Sequence, residues 1–209
     1  DGSFSQHSSN YHRVLLHDLV WASSVARAAG IPLPSIVTAR AAAATRFLAL
    51  LTEGATGRVL RYGADDGACV FRLSGRPYED FRPVIAAASA AFDLPSPFTS
   101  GPWEEESLLL TGRVPDDATG PPAPREILER GPGGLCVVRR GRLSALFRTP
   151  GHFRHRPGHA DHLHVSIFRD GEPVLDDPGT YSYNAEPPLG TGLKEAMFHN
   201  VPMLEGRNP

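Results

Sequence analysis

Apolar residues recur at helical spacing through the first part of the chain. In residues 11–29 and again in residues 35–51 they return every three or four positions, which is the pattern of an amphipathic helix. A third stretch of this kind begins at Asp80, where Pro83 is tolerated because it lies in the first helical turn. The pattern predicts three helices, and the short connection between the first two predicts that they pack antiparallel.

The second part of the chain changes to alternation. Short apolar runs flank residues 139–141, and a further alternating run over residues 162–168 turns at Asp170-Gly171 and returns over residues 173–179. Asp-Gly between two apolar runs is a signal for a tight hairpin turn, because such a turn needs residues that accept positive φ. This part is therefore predicted to form antiparallel strands.

Alternation over residues 162–168 also predicts which side chains face the core. With a period of two, apolar side chains lie on one face of the strand and polar ones on the other. The face expected to be buried consists of Leu163, Val165 and Ile167. The face expected to be at the surface or to line a cleft consists of His162, His164 and Ser166.

Composition predicts where the two parts are joined. Residues 94–124 are rich in Pro, Gly, Ser and Asp, which is typical of a linker. Helices come before this stretch and antiparallel strands after it, so we expect an α+β protein with two domains and not an alternating α/β fold. The predicted domains are residues 1–93 and residues 125–209.

The net charge and the absence of common motifs argue against several classes of function. The chain has 209 residues, 41% of them hydrophobic, and a formal net charge of −2, so a sizeable core is expected and nucleic acid is not an expected partner. Cys69 and Cys136 form neither a C-x-x-C pair nor a disulfide framework. No apolar run is long enough to predict a membrane span. The sequence contains no G-x-S-x-G, P-loop or G-x-G-x-x-G motif.

Histidine and aspartate concentrate in residues 155–199. Among them, His159, Asp177 and His199 suit a zinc site, because neutral imidazole nitrogen and carboxylate oxygen are ligands that zinc accepts. The alternative is that the histidines are hydrogen-bonded surface residues. Asp177 also begins an Asp-Pro-Gly turn signal that occurs in any class of protein.

Three other residues are candidates for proton transfer or for binding an acidic substrate. They are Tyr11 and His12, at the start of the first helix, and Arg156. A phenol can give or take a proton where its surroundings adjust its pKa from about 10, although a tyrosine at a helix start more often packs. An arginine can bind an acidic group, although most exposed arginines are solvated.

Four segments, taken together and in this order, resemble the heparinase II/III-like polysaccharide lyases. They are Asp-Gly-Ser-Phe followed by Gln-His-Ser-Ser-Asn-Tyr-His-Arg in residues 1–13, Arg-Pro-Gly-His-Ala-Asp in 156–161, Asp-Pro-Gly-Thr-Tyr-Ser-Tyr-Asn in 177–184, and Phe-His-Asn in 198–200. The resemblance spans nearly the whole chain. It implies that residues 1–93 are the last helices of a partial α/α toroid, and that the strands begin an antiparallel β-sandwich.

The resemblance also implies a reaction and its residues. Members of the family cleave acidic polysaccharides by β-elimination, in which the proton at C5 of a uronic acid is removed and the 4-linked glycosidic oxygen leaves. The tyrosine of the family's Tyr-His motif, which is the acid or base, matches Tyr11. His12 and Arg156 are the expected substrate contacts. The cellular location of family members implies a periplasmic or secreted protein, although the chain itself contains no targeting signal.

By the same resemblance, His159, Asp177 and His199 match the family's metal ligands, and the implied zinc is structural. The family motif Gly-His-x-His-Ala-Asp has a catalytic histidine where this chain has Pro157. Either His155 or His159 is the expected substitute, or the protein uses Tyr11 with an upstream partner alone. The residue that neutralises the substrate carboxylate is expected before the first residue of this chain, which on its own is expected to be inactive.

Two other hypotheses follow from the same residues. One is a non-catalytic glycan-binding or structural protein on the same scaffold, suggested by Pro157. The other is a metal-dependent hydrolase built on His159, Asp161 and His199, which would give a saturated product where a lyase gives an unsaturated one.

Overall fold

A computed structural model gives the structure of the protein. It describes residues 2–117, 133–149, 151, 158–186, 189–190, 192–205 and 207. The described residues form an α+β fold with helices first and an antiparallel sheet second, as the sequence predicted. No helix in these ranges is both long enough and apolar enough to cross a membrane.

The helical residues form α1 (Ser9–Ala28), α2 (Ser35–Leu51), α3 (Arg82–Ala91) and α4 (Glu105–Thr111). The first three are the helices predicted from apolar spacing. Gly30 ends the first of them, because its positive φ of 68° allows the chain to turn back and lets the N–H of Ile31 donate to the carbonyl of Ala26 at 2.8 Å. The helix α3 is buried along its whole length.

The strands are β1 (Leu135–Arg140), β2 (Leu143–Arg148), β3 (Val165–Arg169) and β4 (Glu172–Leu175), and they form one sheet in the order β1-β2-β3-β4. All neighbours are antiparallel. The turn between β3 and β4 is the predicted Asp170-Gly171, and both residues have positive φ (54° and 79°). This is the geometry that Asp-Gly favours in a two-residue hairpin.

The chain divides into two compact units. Unit 1 consists of Asp1–Gly2, His12–Val59 and Cys69–Ala123, and unit 2 consists of Ser3–Tyr11, Leu60–Ala68 and Pro124–Pro209. Each unit is thus assembled from segments that are distant in sequence. The helix α1 contributes its first residues to unit 2 and the rest to unit 1.

The composition of residues 94–124 predicted a linker, but α4 lies inside this stretch. Its Glu106 is buried, with Oε1 3.0 Å from Nε2 of His17, and both side chains are almost fully covered. The other carboxylate oxygen accepts the N–H of Leu73 at 3.4 Å. A buried carboxylate needs partners of this kind, and this contact with a residue distant in sequence is absent from the local pattern.

The predicted faces of β3 are reversed. His164 and Ser166 are 0% exposed and Phe168 is 1% exposed, whereas Val165 and Ile167 are only half-buried. Leu163 lies before the strand with a positive φ of 68°. Polar side chains can occupy the buried face because their hydrogen bonds are satisfied: Oγ of Ser166, for example, donates to the carbonyl of Arg61 at 3.1 Å.

The start of α3 is held by a buried ion pair in unit 1. The Asp80 carboxylate accepts hydrogen bonds from Nε and Nη2 of Arg82 at 2.9 and 2.7 Å and from Nε of Arg76 at 2.8 Å. The Arg82 guanidinium also lies 3.9 Å from the ring centre of Trp103. Burial by itself raises the pKa of Asp80, but hydrogen bonds from Arg82 and Arg76 outweigh it and hold the pKa below its ordinary value.

Asp80→Asn is expected to lower the free energy of unfolding by about 3–5 kcal/mol at neutral pH, because it leaves the buried Arg82 without its counter-charge. Asp93→Asn is the matched control, because Asp93 pairs with Arg113 at the surface and should cost about 1 kcal/mol or less. Urea denaturation followed by circular dichroism measures both. Equal effects of the two variants would contradict the structural role of the buried pair.

The contribution of Asp80 to the free energy of unfolding should also depend on pH. A carboxyl whose folded pKa is lowered binds fewer protons in the folded state, so it stabilises the fold above its unfolded pKa of about 4. That stability is lost as the pH falls through the folded pKa. The difference in unfolding free energy between the wild type and Asp80→Asn should therefore shrink below about pH 4.

Candidate metal centre and candidate catalytic tyrosine

Three side chains predicted as metal ligands come together in unit 2. The candidate ligand atoms of His159, Asp177 and His199 all lie within 4.8 Å of one another. Nδ1 of His159 is 3.8 Å from Oδ1 of Asp177, and Nδ1 of His199 is 3.7 Å from Oδ2 of the same carboxylate. The three side chains are at most 1% exposed. Residues separated by about twenty positions in sequence thus form one compact, buried group.

Asp177 is positioned by the backbone around it. It follows β4, and Oδ1 accepts the N–H of Gly179 at 2.8 Å while Oδ2 accepts the N–H of Gly63 at 3.2 Å. Burial raises the pKa of Asp177 to about 6, and the hydrogen bond from Gly179 opposes this rise. These two bonds orient the carboxylate so that one oxygen faces each imidazole.

The imidazoles of His159 and His199 each have one nitrogen atom directed at the Asp177 carboxylate. Nε2 of His159 is hydrogen-bonded to Oγ1 of Thr180 at 2.9 Å. Nδ1 of His159 and Nδ1 of His199 are buried and have no hydrogen-bond partner within the described ranges. Buried polar atoms without a partner are costly, and a cation held between the two nitrogens and Asp177 would satisfy them.

Both imidazoles are held in the neutral form. Burial, followed by repulsion from His199, lowers the pKa of His159 to about 3. Burial also lowers the pKa of His199, against opposing effects of Asp161 and the Lys194 carbonyl. Neutral imidazole is the form that binds metal ions, so the protonation state, ligand types and spacing all fit a zinc ion.

Asp161 does not join this group. Its carboxylate pairs with Nη1 of Arg148 at 2.7 Å, and both side chains are buried. Burial raises the pKa of Asp161 to about 6 even though Arg148 opposes the shift. The hydrolase hypothesis required Asp161 as a ligand beside His159 and His199, and the described structure places Asp177 there instead.

Tyr11 lies in unit 2 with a defined hydrogen-bond partner. Its hydroxyl donates to Oδ2 of Asp66 at 3.0 Å, and its backbone N–H donates to Oγ of Ser8 at 3.0 Å, which caps the start of α1. Burial raises the pKa of Tyr11 above 10, and hydrogen bonding with Tyr183 and Asp66 raises it further. The phenol is therefore held protonated, as a proton donor must be.

His12 occupies a different setting from its neighbour. It is fully buried in unit 1, where its ring stacks on Phe47 at 5.3 Å and Nε2 lies 2.9 Å from the carbonyl oxygen of Ala44. Burial lowers the pKa of His12 to about 4, against the Ala44 hydrogen bond. This burial argues against the substrate contact predicted for His12. Arg156, the other predicted contact, lies outside the described residues, as do His155 and Pro157.

Several residues of this region had no assigned role in the site from sequence alone. They are Asp66 beside Tyr11, Thr180 beside His159, and His164 with Asn200 behind His199. Asp66 lies in a glycine-flanked segment that a loop explains as well as acid/base chemistry does, and Thr180 and Asn200 lie in segments that carry the family resemblance. The signal for His164 was present as alternation, but it was assigned to the wrong face.

Comparison with known proteins gives likenesses in fold alone. No protein-family model and no curated protein matches the chain. Among solved structures, the crystal structure of a heparinase III matches 100% of this chain with a TM-score of 0.66 and 17% identity. A heparinase III with methylated lysines matches 100% of the chain with a TM-score of 0.63 and 16% identity. The chain spans about a third of their length (33% and 30%). The chain therefore has a heparinase III-like fold.

Proposed function

We propose that this chain is part of a polysaccharide lyase that cleaves an acidic, uronate-containing polysaccharide by β-elimination. The observation that carries the proposal is a tyrosine whose hydroxyl donates to Asp66 at 3.0 Å, in the same unit as a His/Asp/His group suited to a cation. Burial first, and hydrogen bonding with Tyr183 and Asp66 next, raise the pKa of this tyrosine and keep it protonated. The heparinase III-like fold supports it. Fold alone does not establish an activity, so the residues of the site carry the proposed function.

Tyr11 is proposed as the general acid of the elimination. A base removes the proton at C5 of the uronate, the C4–O bond breaks, and Tyr11 gives its proton to the departing glycosidic oxygen. The raised pKa keeps Tyr11 protonated at working pH, which is the state in which it can give a proton. Asp66 accepts the hydroxyl hydrogen bond at 3.0 Å and so orients the donor before substrate binds.

His159, Asp177 and His199 are proposed to hold a structural zinc ion. When bound, the ion would supply a fixed positive charge that keeps these segments in register. His159 then belongs to the metal and not to proton transfer, because its side chain is 1% exposed and its free nitrogen faces Asp177. The catalytic role expected for His159 is therefore dropped from the proposal.

We also propose an architecture for the longer protein. The helices are the last helices of an α/α toroid, and the sheet is the first part of a β-sandwich. The face of the sheet opposite His164 supports the sandwich. It is apolar across three strands, where Val138 is opposite Ala145 and Ala145 is opposite Ile167. An apolar second face is what packing against another sheet requires. A periplasmic or secreted location is proposed with this function.

The test is an assay of the full-length polypeptide that contains this chain on uronate-containing polysaccharides. A lyase creates a C4=C5 double bond conjugated with the carboxylate, so ultraviolet absorbance should rise in step with new reducing ends. New reducing ends without that absorbance would indicate a hydrolase and would overturn the proposal. Isolated residues 1–209 are expected to give no product.

A second candidate is a non-catalytic glycan-binding protein. It is favoured by Pro157, which stands where the family motif has a catalytic histidine. Equilibrium binding of uronate oligosaccharides without formation of any unsaturated product would select this candidate over the lyase.

A further inference from the structure

We propose that His164 and Asn200 form a clamp that positions His199 for metal binding. Neither residue is among the proposed ligands, so each would act as a positioning residue through His199. This inference rests on the proposed zinc site and adds to it the residues that hold its geometry. The clamp is defined here as the side chain of His164 together with the backbone and side chain of Asn200.

Asn200 joins three segments of unit 2. Its backbone N–H donates to Nδ1 of His164 at 3.2 Å, and its carbonyl accepts the N–H of Val165 at 3.3 Å. Its side-chain amide donates to the carbonyl of Val165 at 3.1 Å and to that of Asp176 at 3.5 Å. Asn200 directly follows one proposed ligand, His199, and Asp176 directly precedes another, Asp177. The amide therefore links the backbones of two ligands.

His164 is fixed by a directional chain of hydrogen bonds. Because the N–H of Asn200 can only donate, Nδ1 of His164 accepts and Nε2 carries the proton. Nε2 then donates to Oγ of Ser166 at 3.0 Å, and Ser166 donates to the carbonyl of Arg61 at 3.1 Å. With 0% exposure, His164 has both ring nitrogens bonded within the protein. It is therefore placed as a support and not as a ligand.

The His164 ring also forms a wall for His199. The two rings meet edge to face, with centres 5.5 Å apart and planes at 87°. On another side, the His159 ring lies 5.2 Å from His199. Nδ1 of His199 has no hydrogen-bond partner among the described residues, so no bond at that atom sets the ring's direction. Packing against His164 and the Asn200 tether can do so before a metal ion binds.

Preorganisation of this kind should appear in metal affinity. Groups that orient a ligand without touching the ion typically change metal affinity by about 10–100-fold when they are removed. His164→Ala removes the wall and the acceptor, and Asn200→Ala removes the amide bonds to Val165 and Asp176. Each should weaken zinc binding by about 10–100-fold. His164→Asn should recover part of the affinity, because its Oδ1 lies as many bonds from Cβ as Nδ1 does and can accept the N–H of Asn200, while the ring that packs against His199 stays absent.

The experiment measures zinc affinity by competition with a chromophoric chelator, together with the visible spectrum of the cobalt-loaded protein. The spectrum reports coordination geometry, which a general loss of stability in a folded sample would not change. His162→Ala and Asn184→Ala are matched controls, since both residues are exposed and should leave affinity and spectrum unchanged. Circular dichroism of each metal-free variant establishes that it is folded.

The outcomes separate the clamp from the metal site. A wild type that binds no zinc would overturn both the proposed site and the clamp. Tight binding by wild type, lost in His199→Ala but unchanged in His164→Ala and Asn200→Ala, would overturn the clamp and leave the proposed zinc site intact. Should His164→Ala fail to fold, Asn200→Ala decides: weaker zinc binding with an altered cobalt spectrum supports the clamp, and wild-type values overturn it.

Discussion

Purified protein is expected to carry one zinc ion per chain, and His159→Ala, Asp177→Ala and His199→Ala are each expected to lose it. Zinc sites need three or four protein ligands in fixed positions, and the described residues provide these three within 4.8 Å of one another. Removing any one leaves two ligands and a poorly compensated buried cation. Elemental analysis of dialysed protein gives the metal-to-chain ratio directly.

The control for this experiment is His162→Ala, which removes an exposed imidazole three positions from His159. It should retain the full metal content. Metal retained in all three ligand variants would show that zinc binds elsewhere. A folded wild type without metal would leave these residues as a buried hydrogen-bonding group and would favour the glycan-binding candidate.

Tyr11→Phe is expected to reduce kcat of the full-length lyase by about 10²–10⁴-fold, which is the usual contribution of a general acid or base. The change removes one oxygen and keeps the ring, so KM for the polysaccharide should change little. Steady-state rates from the absorbance of the unsaturated product measure both constants. Tyr181→Phe is the matched control, because the Tyr181 side chain is exposed and its hydroxyl has no proposed role.

Asp66→Asn tests the same assignment through pH. A general acid works only while protonated, so activity should fall as the pH rises through the pKa of Tyr11. Burial is the first cause of the raised pKa, and the charge and hydrogen bond of Asp66 add to it. Replacing Asp66 with a neutral amide should therefore move the alkaline limb of the rate profile to lower pH. Wild-type kcat in Tyr11→Phe, or an unmoved limb in Asp66→Asn, would contradict the role of Tyr11.

Local sequence patterns were sufficient for α1, α2, α3 and the hairpins of this fold. The apolar spacing in α1, α2 and α3, the turn back at Gly30 and the hairpin at Asp170-Gly171 depend on contacts between residues a few positions apart. Such contacts can be read from sequence because the period of a helix or strand and the conformations open to glycine are local properties. The resemblance to the heparinase II/III-like family rests on four short segments instead, and the likeness to heparinase III supports it in fold alone.

Local patterns failed where polar groups are satisfied by distant segments. Residues 94–117 have the composition of a linker, but Glu106 in this stretch is hydrogen-bonded to His17, which is distant in sequence. The polar face of β3 was expected at the surface, but it is buried. Ser166 donates to the carbonyl of Arg61, and His164 accepts the backbone N–H of Asn200. Alternation identifies two faces of a strand, and only the partners of each face decide which one is buried.

The sequence by itself determined α1, α2 and α3, the hairpins and the identity of His159, Asp177 and His199 as candidate ligands. The tertiary structure alone decided that these three lie within 4.8 Å of one another and that Asp161 is paired with Arg148 instead. It also separated Tyr11 from His12, which pack in different units. The physical reason is that consecutive helical residues point about 100° apart, so adjacency in sequence does not determine which surroundings each side chain enters.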